Sequence, residues 1–172
     1  GGGKERQNIC WVFGKWETCC KEDECYEDIN SYPIIFLHGH ASSKTTSPEY
    51  SLDAFNKIRE KLFNEGFREG GMILPNVPKT NFKGGEWGGS RGVPITIKTT
   101  YYYNVFDSEG NFIKAPSKQD SIDEYSKRLG NVVDDILSRT NRKKVNIVAH
   151  NMGGLVARNY IKNNGGETKV NK

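Results

Sequence analysis

The feature that most constrains this sequence is an apolar strand signal that passes into a helix signal with no loop between them. Val145-Asn146-Ile147-Val148-Ala149 is followed at once by His150-Asn151-Met152-Gly153-Gly154. Helical spacing then continues through Leu155, Val156 and Tyr160 to a stop at Asn163-Asn164-Gly165-Gly166. So abrupt a corner drives its central residue, Asn151, toward positive φ. It also brings the strand and helix backbones so close that the residues two positions away must be small. Ala149 and Gly153 hold those positions, with Gly154 beside them.

The segments upstream fit the same architecture. Pro33-Ile34-Ile35-Phe36-Leu37 is apolar throughout and ends at His38-Gly39. A strand apolar on both faces belongs inside a covered parallel sheet. Ser51 is expected to cap a helix carrying Leu52, Phe55, Ile58 and Leu62, with Gly66 as terminator. Met72-Ile73-Leu74 reads as a short buried strand ending at Pro75, and residues 76–94, rich in glycine and proline, read as loop. Ile95 to Phe106 and Asn111-Phe112-Ile113 read as a hairpin around the turn Asp107–Gly110. Ser121 and Glu124 form a capping box, after which Ile122, Tyr125, Leu129, Val132, Val133 and Ile136 line one face of a helix. Alternating strands and helices predict an α/β fold: a parallel sheet with flanking helices, spanning residues 32–172 behind a leader over residues 1–31 that shows no clear period.

Composition removes several function classes. Net charge is +4, from 25 basic and 21 acidic residues, and it is spread along the chain. Arg142-Lys143-Lys144 reads as a solvated turn, so no nucleic-acid partner is expected. The mean hydropathy of −0.71 and the lack of any long apolar run predict no transmembrane segment. No charged stretch followed by an apolar one opens the chain, so a signal peptide is expected to be absent or already removed, and the first three glycines are given no structural weight. All four cysteines, Cys10, Cys19, Cys20 and Cys25, lie in the leader. Two disulfides in an oxidising compartment, a metal knot and reduced thiols are the three readings; the spacing lacks the paired knuckles of zinc sites. The clustering points to an extracellular protein. No cofactor is expected, and no metal ligand set is identified.

Ala149-His150-Asn151-Met152-Gly153-Gly154 resembles the nucleophile elbow of α/β-hydrolases, in the form found in lipases and esterases of bacterial type, with asparagine where that family has serine. Pro33 to Ser43 resembles the family's oxyanion strand and loop. The resemblance covers roughly residues 32–74 and 121–172, and leaves the leader and residues 76–118 unmatched. It implies that Asn151 holds the nucleophile position and that the backbone N–H groups of His40 and Met152 are the oxyanion donors. It also implies a lipid or small ester substrate attacked through an acyl-enzyme. Trp87 and Tyr101-Tyr102-Tyr103 then either line an acyl pocket or lid, or simply pack.

The same resemblance exposes two gaps. An amide is neither nucleophilic nor ionisable, so Asn151 cannot be activated by a base. In the family an acid and a histidine follow the elbow, whereas residues 152–172 hold Glu167 and no histidine. His38, His40 and His150 all lie at or before the elbow, and Lys169-Val170-Asn171-Lys172 looks like the start of a further strand. The expectation is a domain truncated after the elbow, inactive as written, with its missing C-terminal part as a partner. The competing function is a non-catalytic relative that binds an acyl ligand or a partner protein.

Overall fold

The structure is a computed structural model. It describes residues 9–12, 15–18, 20–21, 24–25, 32–39, 48–75, 94–105, 107, 113, 119–140 and 142–172, with the backbone alone for 9–25 and 48–54.

Four strands form an all-parallel sheet: β5 (Ile34–His38), β6 (Arg68–Ile73), β7 (Ile95–Thr100) and β8 (Asn146–Ala149), in the order β6-β7-β5-β8. Alternation along β5 supplies both faces of the sheet with apolar groups. Ile35 and Leu37 join Ile97, Leu129, Val133, Ile136 and Val156 in one core. Phe36 and His38 meet Phe55 instead, at ring-centroid distances of 5.3 and 4.8 Å. Helix α1 (Pro48–Asn64) therefore covers one face, and α2 (Ile122–Thr140) with α3 (Met152–Asn163) covers the other.

Helix ends follow local chemistry. The Ser121 hydroxyl accepts the Glu124 N–H at 3.1 Å, half of the expected capping box. At the end of α1, the Phe67 N–H donates to Leu62 O and the Gly66 N–H to Phe63 O, with Gly66 at φ 102. That is a Schellman motif, which needs a residue tolerant of positive φ at Gly66. The start of α1 differs from expectation: Pro48, not the residue after Ser51, opens the helix, as its fixed φ permits in a first turn. Ile122 is more exposed than its spacing predicts, and Ser126 is buried in the α2–α3 junction. There the Asn164 amide donates to Asp123, Ser126 and Asn159 at 3.0, 2.9 and 3.1 Å.

Three sheet elements also differ from the sequence reading. Ile95–Thr100 is not the arm of a hairpin but an interior parallel strand, flanked by β6 and β5; Asn111 and Phe112 of the expected return lie outside the described residues, and the Ile113 N–H donates to Val105 O at 2.7 Å. The strand read as Met72–Leu74 starts at Arg68, with a register shift between Glu69 and Gly71. β8 ends the four-strand order, and its positions are half-buried rather than enclosed. Beyond a short 3-10 turn (Gly166–Thr168) the chain runs back parallel to β8. There the Val145 N–H donates to Lys169 O and the Asn171 N–H to Val145 O, at 2.9 and 2.8 Å, as the strand-like end of the sequence predicts.

The leader, read as aperiodic, contains two antiparallel ribbons. β1 (Ile9–Val12) pairs with β2 (Lys15–Thr18), and β3 (Cys20–Lys21) with β4 (Glu24–Cys25). Among the described residues no helix is long and apolar enough to cross a membrane.

Candidate active site

In open α/β sheets, ligands bind beyond the carboxyl ends of the strands where the chain order reverses direction. Here the reversal lies at β5. The chain leaves β5 for β6 and β7 on one side, then crosses through α2 to β8 on the other. Leu37 is in register with Ala149, so β5 and β8 end side by side. The sheet itself therefore selects the ends of His38-Gly39 and Ala149-His150-Asn151.

The corner has the geometry its spacing predicts. β8 ends at Ala149, Asn151 adopts φ 52 and ψ −124, and α3 starts at Met152. The Gly153 N–H donates to His150 O at 3.1 Å, and the Gly154 N–H to Asn151 O at 3.0 Å. A methyl group on Gly153 would stand 3.4 Å from Leu37 O and 3.5 Å from the Ala149 Cβ, so the helix rides directly over both strands. Gly154 has open space at the same test. Asn151 is exposed at the start of α3, and the Met152 N–H is in the first helical turn, where amides lack an intrahelical acceptor. The partial positive charge of that terminus favours an anion beside it.

His38 closes β5 and is only 3% exposed. Burial, then the cations Lys98 and Arg59, push its pKa down to about 3, so it stays neutral. Its ring packs edge-on against Phe55 at a centroid distance of 4.8 Å. Arg59 is itself buried, and its guanidinium pairs with Glu69 at 2.8 Å. Burial lowers the Arg59 pKa and Glu69 opposes that shift. Gly39 follows His38, and the Tyr101 hydroxyl stands where its Cβ would be.

Tyr101, just past β7, is held from behind. Its carbonyl accepts from Arg128 at 3.2 Å, and Arg128 pairs with Asp120 at 2.7 Å and lies 3.6 Å over the Tyr103 ring. Tyr101 and Tyr102 are buried against Tyr125, with centroids at 4.9 and 5.1 Å. The described contacts of this tyrosine run are thus packing contacts. The seat that Tyr101 provides for Gly39 went unseen in the sequence, where nothing links positions so far apart.

Of the candidate site residues, Asn151 and Met152 sit at the corner. His40 and Trp87 lie outside the described residues, so the convergence of the two amides is not among the described contacts. His150 is exposed beside Asn151, and Glu167 is exposed in the 3-10 turn.

Residues 100–172 match the family model of class 2 lipases. The match includes α2, β8, the corner and α3, and begins at the last residue of β7. The structure is similar to the crystal structure of the product of gene lin2722 from Listeria innocua, with a TM-score of 0.50 and 20% identity. That likeness covers 81% of this chain and 48% of the other, so this chain spans about half the length of its neighbour. At such identity it bears on the fold alone. No curated protein sequence matches. The parallel sheet and the strained corner, with a neighbour of like fold and a match of residues 100–172 to class 2 lipases, give this chain an α/β-hydrolase-like fold.

Proposed function

We propose that the intact protein is an ester hydrolase of the lipase or carboxylesterase class, that position 151 is its nucleophile position, and that asparagine there leaves this chain inactive. The observation that carries the reading is the positive φ of Asn151 between β8 and the amino end of α3. A serine at that corner would give up its proton to a histidine oriented by an acid, both supplied after the elbow. Its oxygen would attack the ester carbonyl, and the amides of Met152 and His40 would hold the resulting oxyanion. Collapse expels the alcohol, and water then releases the acid from the acyl-enzyme. Losing one such donor typically costs about 3–4 kcal/mol of transition-state stabilisation. The substrate is a lipid or small ester.

The test is the Asn151→Ser variant of the full-length protein, assayed on short p-nitrophenyl esters. Burst release of nitrophenol is the expected result. A folded but inert variant defeats the proposal. The second reading, a non-catalytic relative that binds acyl chains, is favoured by Asn151 itself, since asparagine accepts positive φ while removing the chemistry. It requires that the native gene encode asparagine at this codon and that the protein bind fatty acyl chains without turnover. An extracellular location is part of the proposal, supported by the cysteine cluster of the leader. Recovery of the protein from culture medium, rather than from cells, tests it.

A further inference from the structure

We infer that Cys20 and Cys25 form a disulfide that ties the second leader ribbon. β3 and β4 pair with Cys20 directly opposite Cys25 and Lys21 directly opposite Glu24. Residues directly opposite in an antiparallel pair have Cα atoms about 4.5 or 5.5 Å apart, according to pair type. Both values fall within the roughly 4.4–6.8 Å that a disulfide spans. The Lys21–Glu24 position independently favours this register, because opposite charges across a ribbon stabilise it and like charges oppose it.

The register also separates the pairings that the sequence leaves open. Cys10 lies opposite Glu17, and its neighbours Trp11 and Trp16 lie opposite each other, so the first ribbon brings no cysteine to face another. A bridge between the adjacent Cys19 and Cys20 would close a strained small ring. Among the described cysteines, Cys20 and Cys25 are the pair that the backbone places together.

The bond forms by exchange with a low-molecular-weight disulfide. One protein thiolate attacks it and expels a small thiolate. The second protein thiolate then attacks the mixed disulfide and expels the other. Two protein thiols are oxidised and one small disulfide is reduced to two thiols, whose thiolates take up the two protons that the protein thiols lose.

The experiment uses the whole chain, purified without reductant, alkylated, and digested with trypsin. Cleavage after Lys15, Lys21 and Lys44 leaves Cys19 and Cys20 on one peptide and Cys25 on another. The expected product joins those two peptides, and fragmentation between Cys19 and Cys20 assigns the link to Cys20. In Cys25→Ser, alkylation without reduction should label Cys20. Cys25 joined to Cys10 or Cys19, four alkylated cysteines in the unreduced protein, or a Cys20 equally labelled in the parent and in the variant would each overturn the assignment.

Discussion

Gly39, the residue after β5, has no room for a side chain because the Tyr101 hydroxyl occupies the place of its Cβ. The two lie at the ends of neighbouring strands, since His38 is in register with Thr100. Tyr101 is in turn fixed by Arg128, whose charge Asp120 balances. The backbone at Gly39, where the chain leaves β5, is therefore packed from the adjacent strand and from α2, not by β5 alone.

Gly39→Ala should destabilise the protein by about 1–3 kcal/mol, the usual cost of overpacking. Tyr101→Phe removes the colliding oxygen, although the ring carbon that bears it would still lie 3.0 Å from the new methyl. The pair Gly39→Ala/Tyr101→Phe should accordingly recover part of the loss. Urea unfolding of the two single variants and the double reads this directly. Strict additivity would show that the two residues do not meet.

At the corner, Gly153 and Gly154 look equivalent in sequence but are not. Gly154→Ala fills open space inside a helix and should gain up to about 1 kcal/mol, the helix-propensity difference. Gly153→Ala places its methyl at the edge of ordinary contact with Leu37 and Ala149 and should be near neutral. Gly153→Val adds two further methyls against the same backbone and should lose roughly 1–3 kcal/mol. Thermal melts of the three variants check the order.

That contrast also marks what the sequence made legible. The corner, the apolar face of α2 and the capping at Ser121 were readable because each is a pattern within a few residues. The Gly66 stop was readable for the same reason. Strand order was not readable, because β7 pairs with β5 and β6, which lie far away in sequence. Its Thr- and Tyr-rich run was therefore read as a local hairpin. The leader ribbons were missed because a few paired residues per strand make no period. His38 closes its strand as the sequence suggests, but its burial was not legible, because Phe55 and the cations beside it come from other elements.

His38 predicts an acid-sensitive contribution to stability. Its pKa is 6.5 in an unfolded chain and about 3 in the fold, so the unfolded chain binds the proton more tightly. Stability from this group is complete above pH 6.5. It falls as the pH drops toward 3, by at most about 1.4 kcal/mol per pH unit. His38→Gln should flatten the acid limb of the stability profile by up to that slope. Matching slopes for parent and variant in denaturant titrations at pH 4, 5 and 6 would remove the prediction.

Asn151 couples strain to chemistry. Residues held in sparsely populated backbone regions cost about 1–3 kcal/mol, and φ 52 with ψ −124 is such a region. Glycine pays no Cβ penalty there, so Asn151→Gly should raise stability. Asparagine tolerates positive φ better than most residues. Asn151→Ala and Asn151→Ser should therefore both fall below the parent, in an order unrelated to side-chain size. Chemical denaturation of the four proteins tests the ranking. A glycine variant no more stable than the parent would mean the corner is unstrained. If the ranking holds, the serine that the proposed reaction needs is less stable at this corner than the asparagine that abolishes it. Loss of the nucleophile would then bring a gain in stability, and restoring catalysis would lower the stability of a corner that is already strained.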